Sequence, residues 1–447
     1  MKTPQVEKTV YINSLGCPKN EVDGEILAAH LIGAGWQIVE APDDATAEIV
    51  NTCGFINQAK TESVEAIFEA VFRRKKIGGR IIITGCLAQR YGKELCEQIP
   101  QADAIIGLQR PDLVVRVLNG EEKPVDGRIC WIGSPSAQGA LDTKIRPAPH
   151  SVYGYIKISD GCDNRCTYCV IPVIRGGLRS REAQAIEEEV RSFVDAGLNE
   201  IILVGQDTAA YGTENGKHLL PALLKRLNAI PGDFWIRTLY MHPANLTDEI
   251  IDTCAACEKV VPYMDIPLQH ISDTVLKIMA RRITRKQIEN RLARVRNAIK
   301  DVAIRTTFLI GHPGETQEAF DELVSFVEDF EFDRLGTFAY SPEEGTKSFA
   351  RTDAPSPAVA DQRVEMLQAV QESIVTRRSQ RYIGSRLRTL LESPSDIYPG
   401  MWEGRTVCDA PEIDGIIFVT TNGQNKPGFA DVLVEDADGY DLFGTAV

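Results

Sequence analysis

Hydrophobic and polar positions change period several times along the chain, and each change marks an element. Between residues 9 and 118, short apolar runs alternate with stretches of helical spacing. Residues 9–15 read as a strand, 22–33 as a helix closed by Gly35, and 36–39 and 47–50 as two further strands. Residues 57–76 predict a long amphipathic helix with Glu62, Glu65 and Glu69 on its polar side. An apolar, β-branched run at 80–84 and segments at 89–98, 104–106 and 111–118 continue the alternation. That is the pattern of an open parallel α/β sheet. Residues 121–150 are rich in Gly, Pro and Ser and read as a linker.

The alternation resumes after residue 151. Strands are expected at 153–158, 200–204, 235–239, 263–266, 305–309 and 334–339, most of them separated by long helical segments. Six βα units predict a partial barrel whose functional groups lie on the carboxyl-terminal rim. From residue 381 the period shortens. Five alternating runs, at 388–391, 406–408, 416–420, 428–434 and 440–446, are separated by Gly, Asn and Asp turns and predict a small antiparallel β-barrel. The expected division is 8–120, a linker over 121–150, 151–379 and 380–447.

A chain of 447 residues is long enough for several domains, and its 43% hydrophobic and 25% charged content is that of a globular protein. No apolar stretch is long enough for a membrane span, and the polar start lacks a signal-peptide core, so a cytoplasmic location is expected. The net charge of −14 argues against duplex nucleic acid as the main partner and suits a basic one. Eleven cysteines without a small-scaffold layout make a disulfide framework unexpected.

Six of those cysteines form two sets. Cys162, Cys166 and Cys169 have CxxxCxxC spacing on a loop after a strand, in Gly161-Cys162-Asp163-Asn164-Arg165-Cys166-Thr167-Tyr168-Cys169. Three thiolates on one tight loop suit three irons of a 4Fe–4S cubane and leave the fourth iron open. A three-cysteine zinc site completed from elsewhere, or buried free thiols, are the alternatives that spacing alone leaves. Cys17, Cys53 and Cys86 each follow a predicted strand, about one βα repeat apart. In a parallel sheet such positions share the carboxyl edge, so the three thiols are expected to converge as a second centre. Ordinary buried cysteines are the competing reading.

The loop motif, with an aromatic before its last cysteine, resembles the radical SAM signature. Leu15-Gly16-Cys17-Pro18-Lys19-Asn20, Asn51-Thr52-Cys53-Gly54-Phe55 and Thr84-Gly85-Cys86-Leu87-Ala88-Gln89-Arg90 resemble the N-terminal domain of the methylthiotransferases. The resemblance spans nearly the whole chain. It implies an N-terminal α/β domain, a partial (β/α)6 radical SAM barrel and a C-terminal TRAM domain, which is OB-like. It further implies a cluster on Cys162, Cys166 and Cys169 that binds S-adenosylmethionine, which serves as radical source and as methyl donor. A second 4Fe–4S cluster on Cys17, Cys53 and Cys86 would carry the sulfur to be inserted. Gln206, Gln269 and Gly311, just after predicted strands, and Tyr168, on the cysteine loop, are expected near the cofactor. A flavodoxin or ferredoxin electron donor and a sulfur donor are also implied.

Two branches of that family compete. One modifies isopentenylated adenosine in transfer RNA; the other modifies an aspartate of small-subunit ribosomal protein twelve. Leu15 before the glycine, Pro18-Lys19 after the cysteine, and Asp207-Thr208 after Gln206 resemble the ribosomal-protein branch. The C-terminal segment carries five basic against eleven acidic residues and is expected to attract a basic protein rather than RNA. The basic stretch from Arg281 to Lys286, with Arg291, Arg294 and Arg296, is the candidate RNA contact if the transfer-RNA branch holds. A non-catalytic iron–sulfur carrier is the remaining alternative. Cys254 and Cys257 read as helix residues without a partner pair, His270 and His312 as structural histidines, and Cys96, Cys130 and Cys408 as lacking any partner constellation.

Overall fold

The computed structural model describes residues 8–124, 127–135, 146–421, 423 and 426–447. Its first unit is a six-stranded, wholly parallel sheet. Strands Thr9–Ser14, Ala47–Thr52 and Arg80–Gly85 lie side by side in its middle, flanked by Gln37–Ile38 on one edge and by Ala104–Ile106 and Ile129–Trp131 on the other. Ile49, Val50, Ile82 and Ile83 are fully buried, because helices cover both faces. The strand Ile129–Trp131 corrects the expected linker: three residues of it extend the sheet. Residues 125–126 and 136–145 of that segment lie outside the described residues.

The same strand corrects the reading of two cysteines. Pairing with Ala104–Ile106 brings Cys130 beside the end of the helix Cys86–Gln98, where it forms a disulfide with Cys96, Cα–Cα 6.3 Å. The missed strand hid the partner.

The second unit contains six parallel strands in chain order: Tyr153–Lys157, Glu200–Val204 and Trp235–Thr238 form one ladder, and Tyr263–Asp265, Ala303–Ile310 and Arg334–Ala339 another. A single bridge between Ile236 and Val260 joins the halves. Alternation sorts the side chains. Ile156, Ile201, Leu203, Ile236, Met264 and Ile304 pack outward against the helices. Tyr155, Ile202, Val204, Trp235, Tyr263 and Ala303 form the inner face.

That inner face is not closed by its own strands. Val22 and Ile26 of the helix Pro18–Gly33 and Leu390, Cys408, Ala410 and Phe429 of the third unit pack into it. The third unit is a closed five-stranded barrel of Arg386–Pro394, Met401–Thr406, Ile417–Thr420, Gly428–Asp438 and Asp441–Ala446. The expected all-antiparallel arrangement is corrected in one place: Ile417–Thr420 and Asp441–Ala446 run parallel. The strand expected at 406–408 lies earlier, over Met401–Thr406, because Thr406, Cys408 and Asp409 form a side-chain-braced turn.

The small barrel sits on the amino ends of the central strands. Arg405 pairs with Glu200 at 2.6 Å, the Tyr263 hydroxyl donates to Asp414 at 2.6 Å, and Arg334 donates through Nε to Asp409 at 3.1 Å. The Tyr153 hydroxyl donates to Glu412 at 3.0 Å, and Trp235 packs on Phe429 with ring centroids 4.9 Å apart. Glu200, Tyr263, Arg334, Tyr153 and Trp235 are all first residues of strands. Among the described residues no helix is long and apolar enough to cross a membrane.

Candidate functional site: two facing cysteine triads

Cys17, Cys53 and Cys86 stand at the carboxyl ends of the three middle strands of the first sheet. Side-chain amides lock these ends together. Asn20 Nδ2 donates to the carbonyls of Leu15, at 2.8 Å, and Asn51, at 3.0 Å, while Asn51 Nδ2 donates to the carbonyl of Asn20 at 2.8 Å. The Ser63 hydroxyl accepts from the Cys53 amide and donates to the Cys53 carbonyl, both at 2.9 Å. Gly85 takes φ +95°, and a Cβ there would lie 2.4–2.7 Å from Thr52 backbone atoms and the Asn51 side chain. Strand ends this close require glycine.

The three thiols have different environments. Burial pushes Cys86 up to about 12, and burial also raises Cys53. Burial opposes ionisation of Cys17 as well, but Lys19 and Arg175 outweigh it and hold that thiol below its ordinary value.

The second triad occupies the loop after Tyr153–Lys157. Gly161, at φ +76°, packs against the Gly177 carbonyl, and the Cys162 amide donates to the Gly176 carbonyl at 3.1 Å. Asn164 Nδ2 donates to Asp207 at 2.6 Å, and Asp207 also accepts from Asn245 Nδ2, at 2.6 Å, and the His242 amide. Thr167 donates to the carbonyls of Met279, through its amide, and Ile278, through its hydroxyl at 2.8 Å. Burial pushes Cys162 and Cys169 up to about 12. Arg281 Nη1 lies 3.5 Å from Cys166 Sγ and 3.4 Å from the Tyr168 hydroxyl.

The triads face each other across one seam. Val170, directly after Cys169, and Ile174 pack against Cys86 and Leu108. Arg175 is 2% exposed; its Nη2 donates to Cys86 Sγ at 3.2 Å and pairs with Asp23 at 2.8 Å, and its Nη1 donates to Asp160 at 3.1 Å. Asp160 in turn accepts from Gln206 Nε2 at 3.2 Å and from Gln109 Nε2 at 2.9 Å. Asp23, Gln109 and Cys86 belong to the first unit; Asp160, Arg175 and Gln206 belong to the second. Sequence reading singled out neither Asp23, Asp160 nor Arg175. Their partners are distant in sequence, and only the position of Arg175, six residues beyond Cys169, offered a signal.

The expected cofactor positions lie along the same rim. Gln206 keeps its Oε1 buried without a protein partner. Gln269 takes φ +73° and joins the sheet beside Phe308. Gly311, at φ +79°, donates its amide to Glu315 at 2.8 Å. Tyr168 packs among Val275, Met279 and Ala319, and its ring meets His312 edge-on at 5.9 Å. His312 Nε2 is 2.8 Å from the Ser348 hydroxyl, and burial lowers its pKa to about 4. His270 Nδ1 accepts from the Ser272 amide at 3.0 Å. Both histidines therefore have structural partners.

The residues present fit an iron–sulfur cluster and a polar ligand. Among the described residues no three His, Cys, Asp or Glu side chains close around a single metal ion. A cubane asks for something wider, since each thiolate takes its own iron. Buried polar atoms at the rim without protein partners, on Gln206, His242 and Tyr340, are hydrogen-bonding groups suited to a bound molecule. Cys254 and Cys257 are buried in the helical core around the barrel, as structural residues. Arg285, Arg291, Arg294 and Arg296 of the basic stretch each pair with a carboxylate, so that stretch offers few uncommitted cations.

Comparison with known proteins agrees with these three units. Residues 156–327 match the Radical SAM superfamily, residues 9–107 match Uncharacterized protein family UPF0004, and residues 383–447 match the TRAM domain. The chain is 41% identical, over 98% of its length and 100% of the relative's, to ribosomal protein uS12 methylthiotransferase RimO of Thermotoga maritima. It is 39% identical to the protein of that name from Desulfitobacterium hafniense, over 99% of both chains. Among solved structures, the radical S-adenosylmethionine methyltransferase TsrM of Kitasatospora setae, with cobalamin and a 4Fe–4S cluster bound, shares the fold at TM-score 0.58, 15% identity and 77% coverage of both chains.

Proposed function

The chain belongs to the RimO family of radical SAM methylthiotransferases, and from that premise we propose that it inserts a methylthio group at the β-carbon of an aspartate of ribosomal protein uS12, using two 4Fe–4S clusters and S-adenosylmethionine. The observation that carries the two-cluster reading is the seam itself: Cys86 of one triad packs on Val170, next to Cys169 of the other, and accepts a hydrogen bond from Arg175. Sulfur chemistry at one centre and radical generation at the other need that adjacency.

When bound, the cluster on Cys162, Cys166 and Cys169 supplies the electron that cleaves S-adenosylmethionine to a carbon radical able to attack an unactivated C–H bond. The chain's own residues hold and orient. Asn164, Asp207 and Thr167 fix the loop that carries those three thiols. Gln206, Gln269, Gly311 and Tyr168 are assigned to the cofactor, with the partnerless Gln206 Oε1 as the clearest acceptor. Cys17, Cys53 and Cys86 are assigned to the second cluster. Arg175 supports that assignment, since a buried guanidinium beside three thiolates offsets their negative charge. The units divide near 120, 150 and 380, the first contributing sulfur chemistry and the second the radical. A flavodoxin or ferredoxin supplies electrons, a separate donor supplies sulfur, and action on a ribosomal protein places the enzyme in the cytoplasm.

The transfer-RNA alternative needs free cations for phosphate, and most arginines of the basic stretch are already paired.

The test is anaerobic. Reconstituted protein receives dithionite, S-adenosylmethionine, sulfide, uS12 and isopentenyladenosine transfer RNA together, and mass spectrometry reads which substrate gains a methylthio group. The expected gain is on an aspartate of uS12; gain on the RNA alone overturns the reading. Cys162→Ala is expected to abolish cofactor cleavage. Cys53→Ala is expected to keep cleavage and lose sulfur insertion, and a Cys53→Ala protein that still thiolates uS12 refutes the division between the two centres.

A further inference from the structure

Lys19 lies where the first unit, beside Cys17, meets the rim of the second. It follows Cys17 by two residues on the first turn of the helix Pro18–Gly33, and its Nζ sits 3.4 Å from the centroid of the Tyr240 ring. Tyr240 follows the central strand Trp235–Thr238 at its carboxyl end and is pinned in a left-handed conformation, φ +63°. Its amide donates to Asp265 at 2.9 Å and its carbonyl accepts from the Thr208 amide at 3.0 Å. The ammonium therefore spans from the sulfur-bearing edge of the first unit to the rim of the second.

Its neighbours differ from it in one respect. Lys157 and Arg175 pair with Asp23, and Arg175 also with Asp160. Lys19 is half-buried and pairs with no carboxylate among the described residues. Of the other rim cations without a carboxylate, Arg281 is committed to Cys166, Tyr168 and the Pro267 carbonyl, and Arg282 to Asn164. A ring face is a weak partner for an ammonium, and exchanging or supplementing it with an anion is favourable in a partly desolvated place.

We propose that the Lys19 ammonium receives the side-chain carboxylate of the substrate aspartate. This rests on uS12 being the substrate. The carboxylate is bonded directly to the β-carbon, so seating it on Lys19 fixes the reacting carbon between the centre that abstracts hydrogen and the centre that delivers sulfur. Tyr240 keeps the ammonium aimed until the anion arrives. The same contact selects aspartate over asparagine, because only a carboxylate offsets the lysine charge.

The test is a double-mutant cycle read by binding, with fluorescence anisotropy of labelled uS12 on the full-length reconstituted protein at fixed ionic strength. Lys19→Gln is expected to weaken binding about tenfold. Asn in place of the modified aspartate of uS12 is expected to weaken binding to wild type by a similar factor and to have little further effect on Lys19→Gln. Lys19→Arg is expected to recover most of the loss and Tyr240→Phe, which keeps the ring, to bind like wild type. Wild-type affinity in Lys19→Gln, or losses that add in full across the cycle, overturns the proposal and leaves the assigned function standing. Failure of wild type to bind uS12 overturns both.

Discussion

Cys17 is the one thiol of its triad that charge favours as thiolate. Lys19 and Arg175 lower it, whereas burial raises Cys53 and drives Cys86 to about 12. A depressed thiol pKa means more thiolate at any pH below it, so protein freed of iron is expected to react with iodoacetamide at Cys17 before Cys53 or Cys86 between pH 7 and 8. Peptide mapping by mass spectrometry measures the order. Arg175→Met is expected to slow Cys17, and unchanged rates would mean that the guanidinium does not act on it. The six clustered cysteines were legible in the sequence because three share one loop at CxxxCxxC spacing and the other three each follow a strand about one βα repeat apart. Arg175, Asp160 and Asp23 were not: Asp23 and Arg175 pair across more than a hundred positions, and Asp160, 15 residues before Arg175, carries no motif that marks it as a partner.

At the scale of elements, the three middle strands of the first sheet end in register, and Gly85 sets how closely they approach. Ala at that position would force a β-carbon into the left-handed region and into the Thr52 backbone. Gly85→Ala is expected to cost at least about 2 kcal/mol, from the backbone and overpacking terms together. Denaturant melts measure it, and wild-type stability with full iron loading would show that the strand end relaxes. Alternation exposed the strands of the first two units well, since β-branched apolar runs between helices have few other readings. It failed for Ile129–Trp131, a three-residue edge strand inside a Gly- and Pro-rich stretch, and with it the Cys96–Cys130 pairing. It also misplaced one small-barrel strand, where Thr406 and Asp409 form a turn that reads locally as strand.

At the scale of the whole molecule, the small barrel is held to the central unit by buried charge. Glu200 and Arg237 are both fully buried and pair at 2.7 Å; Arg405 reaches Glu200 from the barrel, and the Val407 carbonyl accepts from Arg237. Breaking a buried pair costs roughly 3–5 kcal/mol, so a chain ending at residue 382 is expected to be insoluble on expression. A soluble, monomeric truncation with a cooperative melt would show that the barrel is dispensable for folding. Two carboxylates counted toward an acidic docking face are spent inward, Asp409 on Arg334 and Asp414 on Tyr263. The sequence shows their sign but not their direction.

The barrel's seat at the amino ends of the central strands has a geometric result for any protein that docks on it. The cysteines lie at the other ends, a strand of five residues away, or about 17 Å. A partner anchored on the barrel must send its reacting residue along the flank of the molecule on a protruding loop of at least five or six extended residues. For a partner that docks there, a target residue on a flat surface or in a helix falls short, and one at the tip of a long loop arrives.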